Sequence, residues 1–344
     1  MHISEGIITG VPAVAYTAAS LGLVGYGAKK MKDLVKESPE RKPLLGMAGA
    51  FIFFLSLIPI PAFTGTCSHP CGSPLVGILL GPWIGIALTG LTLLLQAAFF
   101  AHGGFSTWGA NVITLGVGGA FFGWLAFKVS RKAGLSLIVA GAIGGLIGDI
   151  MTYVFAGLSL SAVLANGPHP QFSFFGYLAA IYAAYIPTQG PIAFGEMFLT
   201  GLILSHIYKQ RPDVLTSLKV IVTSAAVLVF ATALVFSQSS LVFAGQKAAE
   251  HQDVAGTDKV IMIAQLEKSE NASEETGGMA GMDEAVNEKL AEDAGMAPRD
   301  PYLNLEALGD AWNSVLMISG AICGFIIGRW WHVLFGEKKK WEAT

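Results

Sequence analysis

Residues 74–100 read PLVGILLGPWIGIALTGLTLLLQAAFF, an uncharged run interrupted by Gly81-Pro82. One crossing of a bilayer takes about 20 apolar residues and two take about 40, so this stretch is long for one span and short for two. The basic residues decide between them. Lys29, Lys30, Lys32, Lys36, Arg41 and Lys42 form one cluster, Lys128, Arg131 and Lys132 a second, Lys209, Arg211 and Lys219 a third, and Arg329, Lys338, Lys339 and Lys340 a fourth. All four belong on the cytoplasmic side by the positive-inside rule. A single crossing through 74–100 would strand Lys128 to Lys132 on the wrong side, so the stretch crosses an even number of times. It reads as two short helices meeting at Gly81-Pro82, re-entrant or thinly spanning. Non-helical backbone at that depth persists only where protein or a polar cavity shields it.

Working outward, further apolar stretches lie near 7–28, 43–63, 107–127, 135–164, 172–208, 216–237 and 311–336. Of 344 residues 53% are hydrophobic and 13% charged, against about 25% charged in a soluble domain, and mean hydropathy is +0.58. A soluble fold cannot be covered with so few polar side chains. The 42 glycines suit close helix packing rather than alternating barrel strands. The expected fold is an all-α polytopic membrane bundle in the cell membrane. It has seven membrane segments in residues 1–210, a two-span tail in 211–344, and its N-terminus outside. No removable signal peptide is read, because Met1 to Gly6 lack a basic region and no small-residue cleavage site follows the first apolar stretch. The polar stretch 238–310 reads as an acidic outer loop, helical around 283–294 where Val286 and Leu290 are four apart. A net charge of -3 gives no reason to expect nucleic acid.

Chemistry concentrates at the outer side. In Met1-His2, the α-amine, the deprotonated His2 amide and the imidazole close successive chelate rings on one ion. That set suits Ni(II) or Cu(II), and Co(II) less strictly. The loop Thr64-Gly65-Thr66-Cys67-Ser68-His69-Pro70-Cys71-Gly72 offers His69 as the fourth planar donor. A rival reading makes Cys67, Cys71 and His69 the outer centre of a membrane metalloenzyme or redox protein, although a second cysteine pair for a closed zinc site is missing. Asp149 and Glu196 lie in apolar segments, where ionisable groups are costly; they read as structural acids or as the relay of an ion-coupled transporter. His102 and Asn111 read as outer support for a metal or as caps of the helix 107–127, and capping is the simpler role. Small residues four apart, among them Gly141 with Gly145, Gly144 with Gly148, Gly119 with Gly123, Ala15 with Ala19, and Gly320, Gly324 and Gly328, mark close packing within the chain or against a partner. No G-x-x-x-x-G-K-[ST] phosphate loop occurs, so any ATP is hydrolysed by another chain.

Taken together these residues resemble the CbiM/NikM family, the substrate-capturing membrane subunits of energy-coupling-factor cobalt and nickel transporters. The resemblance rests on Met1-His2-Ile3-Ser4-Glu5-Gly6, Gly65-Thr66-Cys67-Ser68-His69, Leu80-Gly81-Pro82-Trp83, Leu94-Leu95-Gln96-Ala97 running into His102-Gly103-Gly104, Gly109-Ala110-Asn111 before Leu115-Gly116, and Glu196. It implies a metal site of Met1, His2 and His69, with His102, Asn111 and Glu196 as outer support. It also implies Co(II) or Ni(II) as transported substrate with no prosthetic group, and a transport component rather than an enzyme. A coupling transmembrane subunit and ATPase subunits are the implied partners. The departure is Pro70-Cys71 after His69, where the family more often has an apolar residue and Gly. The tail resembles the small companion subunit of the CbiN/NikN type, fused to the first unit.

Overall fold

A computed structural model describes residues 2–57, 60–61, 67–100, 102–218, 220 and 282–299. Met1, nearly all of the expected span 216–237, the span 311–336 with Gly320, Gly324 and Gly328, and the fourth basic cluster lie outside the described residues. The described helices are α1 (Gly10–Glu37), α2 (Lys42–Leu57), α3 (Ser73–Leu80), α4 (Pro82–Phe99), α5 (Trp108–Lys132), α6 (Leu137–Leu164), α7 (Phe174–Gln210), α8 (Pro212–Ser217) and α9 (Met282–Asp293). A two-residue antiparallel ladder, Ile60–Pro61 against Cys67–Ser68, is the one departure from helix among the described elements. Five helices, α1, α4, α5, α6 and α7, are long and apolar enough to cross a membrane. The chain is thus an all-α, multi-pass membrane protein; α2 and α3, with 16 and 8 residues, fall short of that length.

The uncharged stretch breaks where expected. Gly81 adopts φ 88° and ψ 155°, a conformation open to glycine alone, and Pro82 opens α4, where its missing N–H costs nothing. The two arms are unequal, which corrects the expectation of two short helices: α3 rises only about 12 Å, whereas α4 rises about 27 Å. The short arm survives because protein surrounds it, with Ser73 to Ile78 all buried. A Cβ on Gly77 would drive into the backbone of Ala120, and one on Gly85 would stand 3.3 Å from Gly77 Cα. Both open ends of this hairpin point the same way, since His69 before α3 and Gln96 near the end of α4 each reach His2.

At the opposite end the described parts of the first three basic clusters gather. Arg41 donates to Ser217 O at 3.3 Å and Lys128 to Val220 O at 2.8 Å, which ties the regions of the first three clusters together. The small-residue spacings in α6 act as expected: a Cβ on Gly144 would stand 2.8 Å from Gly123 O, on Gly148 2.7 Å from Gly119 O, and on Gly145 2.8 Å from Glu196 O. Ala15 and Ala19 instead face outward from the described protein. Residues Val112–Phe121 of α5 are wound as a π-helix, a widened form that recurs at functional sites. The helix expected around 283–294 is present as α9, and Val286 and Leu290 bury into the main core rather than standing free in an outer loop.

Gly77→Leu is expected to lower the melting temperature of the detergent-purified chain by several degrees or to abolish folded protein, because overpacking costs about 1–3 kcal/mol or more. Gly46→Leu, where a Cβ meets nothing within 4 Å, is the control that should melt like the parent.

Candidate metal centre

Residues 2–8 are not a loose terminus. Ile3, Ile7 and Ile8 are buried, as are His2 and Glu5, so this segment is part of the core. Polar bonds fix its path: Ile3 N donates to Asn111 Oδ1 at 2.8 Å, Asn111 Nδ2 donates back to Ile3 O at 3.1 Å, and Thr107 Oγ1 donates to the same carbonyl at 2.7 Å. Glu5 Oε2 accepts from Ser106 N at 3.0 Å, and Gly6 N donates to Ser106 Oγ at 3.0 Å. Gly104 permits the approach, because a Cβ there would stand 2.6 Å from Glu5 Cα. Asn111 therefore clamps the backbone after His2 and caps nothing. The helix begins at Trp108, and its N-cap Thr107 makes no capping bond.

So placed, His2 meets two other imidazoles. One donor nitrogen from each of His2, His69 and His102 lies within 4.8 Å of the others, the group among the described residues that is able to hold a metal ion. His2 Nδ1 stands 3.2 Å from His69 Nε2, and the His2 and His102 ring centroids are 4.0 Å apart. The neighbours set the tautomers. Gln96 Nε2 donates to Phe53 O at 3.1 Å and Ser56 Oγ at 2.9 Å, so its Oε1, 3.0 Å from His2 Nε2, accepts that ring's proton. His69 Nδ1 lies 3.2 Å from Pro70 O, which only accepts, so the proton of His69 sits on Nδ1. His2 Nδ1 and His69 Nε2 are then both lone pairs, and they face each other. Two lone pairs make no hydrogen bond; a cation between them relieves the contact. Their spacing fits two cis donors on an ion with bonds of about 2.0–2.1 Å.

Burial pushes the His2 and His69 imidazoles well below their usual range and His102 to about 4, so all three are neutral at neutral pH with donor pairs available. His102 Nε2 is buried with no hydrogen-bond partner among the described residues. The Cys71 thiol stands apart. Cys67's side chain lies outside the described residues, while Cys71 is free, buried and turned away, with Sγ donating to Asp149 Oδ1 at 3.3 Å. Burial, then the Asp149 and Glu196 carboxylates, push that thiol well above its usual range, so it is no thiolate. Asp149 also accepts from Gln189 Nε2 at 2.9 and 2.8 Å. Glu196 takes the amides of Cys71 and Gly72 at 2.8 and 2.9 Å. Of the expected outer support, then, Asn111 holds the His2 segment, Glu196 reaches the His69 turn, and His102 stands inside the cluster itself. Gln96, Thr107, Glu5 and Ser106 carry roles that the sequence reading did not assign. Gln96 alone left a signal, as the one amide side chain in 74–100.

The profile of the cobalt uptake substrate-specific transmembrane region, CbiM, matches residues 2–214. The chain belongs to the CbiM family. It is 34% identical to the cobalt transport protein CbiM of Geobacter sulfurreducens over 99% of this chain and 92% of that one. To a putative cobalt transport protein CbiM of Methanocaldococcus jannaschii it is 40% identical, over 64% of this chain and 93% of the relative. Its fold is similar to the crystal structure of a truncated transition metal transporter, with a TM-score of 0.53 and 24% identity over 61% of this chain and 99% of that one.

Gln96→Leu removes the acceptor that holds the His2 proton on Nε2. Loss of such a partner typically costs 10–100-fold in metal affinity, and a drop of about that size is expected when Ni(II) or Co(II) is competed between the purified variant and a chelator.

Proposed function

We propose that this CbiM-family chain captures Co(II) or Ni(II) at the outer face of the cell membrane, as the substrate-binding component of an ATP-driven importer. The ion is the cargo, held by the Met1 α-amine, the His2 amide nitrogen and Nδ1, and His69 Nε2. One observation carries the reading: His2 Nδ1 and His69 Nε2 face each other 3.2 Å apart in a buried site, and the partners of the other ring nitrogens leave both as acceptors. Nδ1 is also the His2 nitrogen that closes a six-membered ring with that residue's own amide, and Gln96 leaves it free. Four nitrogen donors of this kind favour a planar field. A metal-bound primary amine keeps hydrogens that need acceptors, and the unpaired His102 Nε2 serves as one. The thiolate rival loses its footing because Cys71 is turned to Asp149 rather than to the imidazoles.

In this reading residues 1–210 are the capturing unit and 211–344 an accessory unit with an outer loop at 238–310. Support comes from the described part of that loop. Arg299 N donates to Glu5 O at 2.8 Å, and a Cβ on Gly6 would stand 2.9 Å from Arg299 N, so the downstream segment sits on the metal-bearing N-terminus. ATP hydrolysis and coupling belong to partner subunits, because this sequence holds no phosphate loop.

Extending the N-terminus by one residue turns the primary amine into an amide and is expected to abolish tight binding, read as metal-to-protein ratio after exposure to nickel and cobalt. His2→Ala and His69→Ala should do likewise and Cys71→Ser should be milder; a Cys71→Ser loss exceeding the others would favour the thiolate centre. In a background lacking native thiols, single cysteines near 102–106 should label with an impermeant reagent from outside, and those at Lys128 to Lys132 from the cytoplasm. Reversed labelling would refute outer-face capture.

A further inference from the structure

Two acids sit buried in the bundle, Asp149 on α6 at 0% exposure and Glu196 on α7 at 1%, and metal donation uses neither. No ion pair among the described residues includes them. A carboxylate kept in such surroundings is costly unless its oxygens are fully engaged. Helix packing alone does not call for these acids, since α6 and α7 already close on each other through Gly141 against Leu204 and Gly145 against Thr200. Their partners converge instead on one short turn, His69-Pro70-Cys71-Gly72. Glu196 Oε2 accepts the Cys71 amide and Oε1 the Gly72 amide, a two-pronged grip on consecutive peptides. Asp149 Oδ1 takes the Cys71 thiol, and Gln189 from α7 holds that carboxylate in turn. Gly72 closes the turn at φ 69°, and its burial leaves its N–H in need of a fixed partner. At the other end of the turn is the His69 ring, whose Nε2 faces His2.

We propose that Glu196, aided by Asp149, is the positioning residue for His69: it fixes the turn from inside the bundle, so that Nε2 meets an arriving ion with no backbone left to order. This rests on the reading of His69 as a metal donor. A grip made by two bonds to consecutive amides holds a donor closely enough for a planar site to form, and a donor on a loose turn loses affinity to the ordering it must undergo. The same contacts attach the donor to α6 and α7, so any displacement of these helices during transport moves His69 relative to His2.

A double-mutant cycle on the full-length purified chain tests this, with Ni(II) as probe and affinity read by competition with chelators of graded strength, so that the weak binding left in His69→Ala is measured as well as the tight binding of the parent. Glu196→Gln keeps the shape but presents an NH2 to one of the two amides. It is expected to weaken binding about 10–100-fold with His69 present, and by about twofold or less once His69→Ala is in place, because a residue acting through His69 has nothing left to position. At saturating Ni(II), its visible absorption should shift toward that of His69→Ala. Equal losses in both backgrounds would mean general loosening and would overturn the proposal, as would an unchanged affinity. Should Glu196→Gln fail to fold, Asp149→Asn in the same cycle gives the same test with a smaller loss. If His69→Ala alone binds as tightly as the parent, the donor reading itself falls and the proposal with it, an outcome distinct from the others.

Discussion

Two imidazole nitrogens facing each other at 3.2 Å, with the other nitrogen of each ring donating to a neighbour, form the contact on which the proposed metal site depends. Much of the site's architecture serves to hold it. Gln96 on α4 takes the proton from one side and Pro70 O from the other. Asn111 and Thr107 pin the peptide after His2, and Glu196 pins the peptides after His69. These partners come from α4, from α5 and its N-cap, from α7 and from the His69 turn, so the site exists only when the bundle is assembled. On the proposed reading, the polar groups that burial makes expensive are held where a divalent ion would compensate them.

The three imidazoles lie outside regular helix, and in a bilayer such backbone persists only inside protein. The chain meets this by sinking residues 2–8 into the core, by folding 73–99 into a hairpin at Gly81, and by widening α5 to a π-helix where Ser73 Oγ bonds Leu115 O at 2.8 Å. Glycines let these pieces approach, most clearly Gly77 against Ala120 and Gly104 against Glu5.

Much of the fold was legible without coordinates. Apolar length and the clusters around Lys29 to Lys42, Lys128 to Lys132 and Lys209 to Arg211 required an even crossing at 74–100, and Gly81-Pro82 marked the turning point. What could not be read was the inequality of the two arms, because hydropathy measures transfer to lipid and says nothing of whether a segment is covered by protein. For the same reason α9 looked like part of a polar loop, although Val286 and Leu290 find a core to enter.

Within the site, the residue types were local and therefore readable: a histidine at position 2, an imidazole in the loop after the second helix, and no nucleotide-binding loop. Their arrangement was not, since tautomer, spacing and approach depend on residues tens of positions away. His102, read as outer support or as a cap, stands among the imidazoles; Asn111, read the same two ways, holds Ile3; Cys71 read as a rival ligand and bonds Asp149. Sequence by itself determined which donor chemistry this chain carries and that lipid surrounds it, because composition and charge act residue by residue. Only the tertiary structure decided which nitrogens face each other, because a hydrogen bond or a coordination bond depends on distances that no separation along the chain encodes.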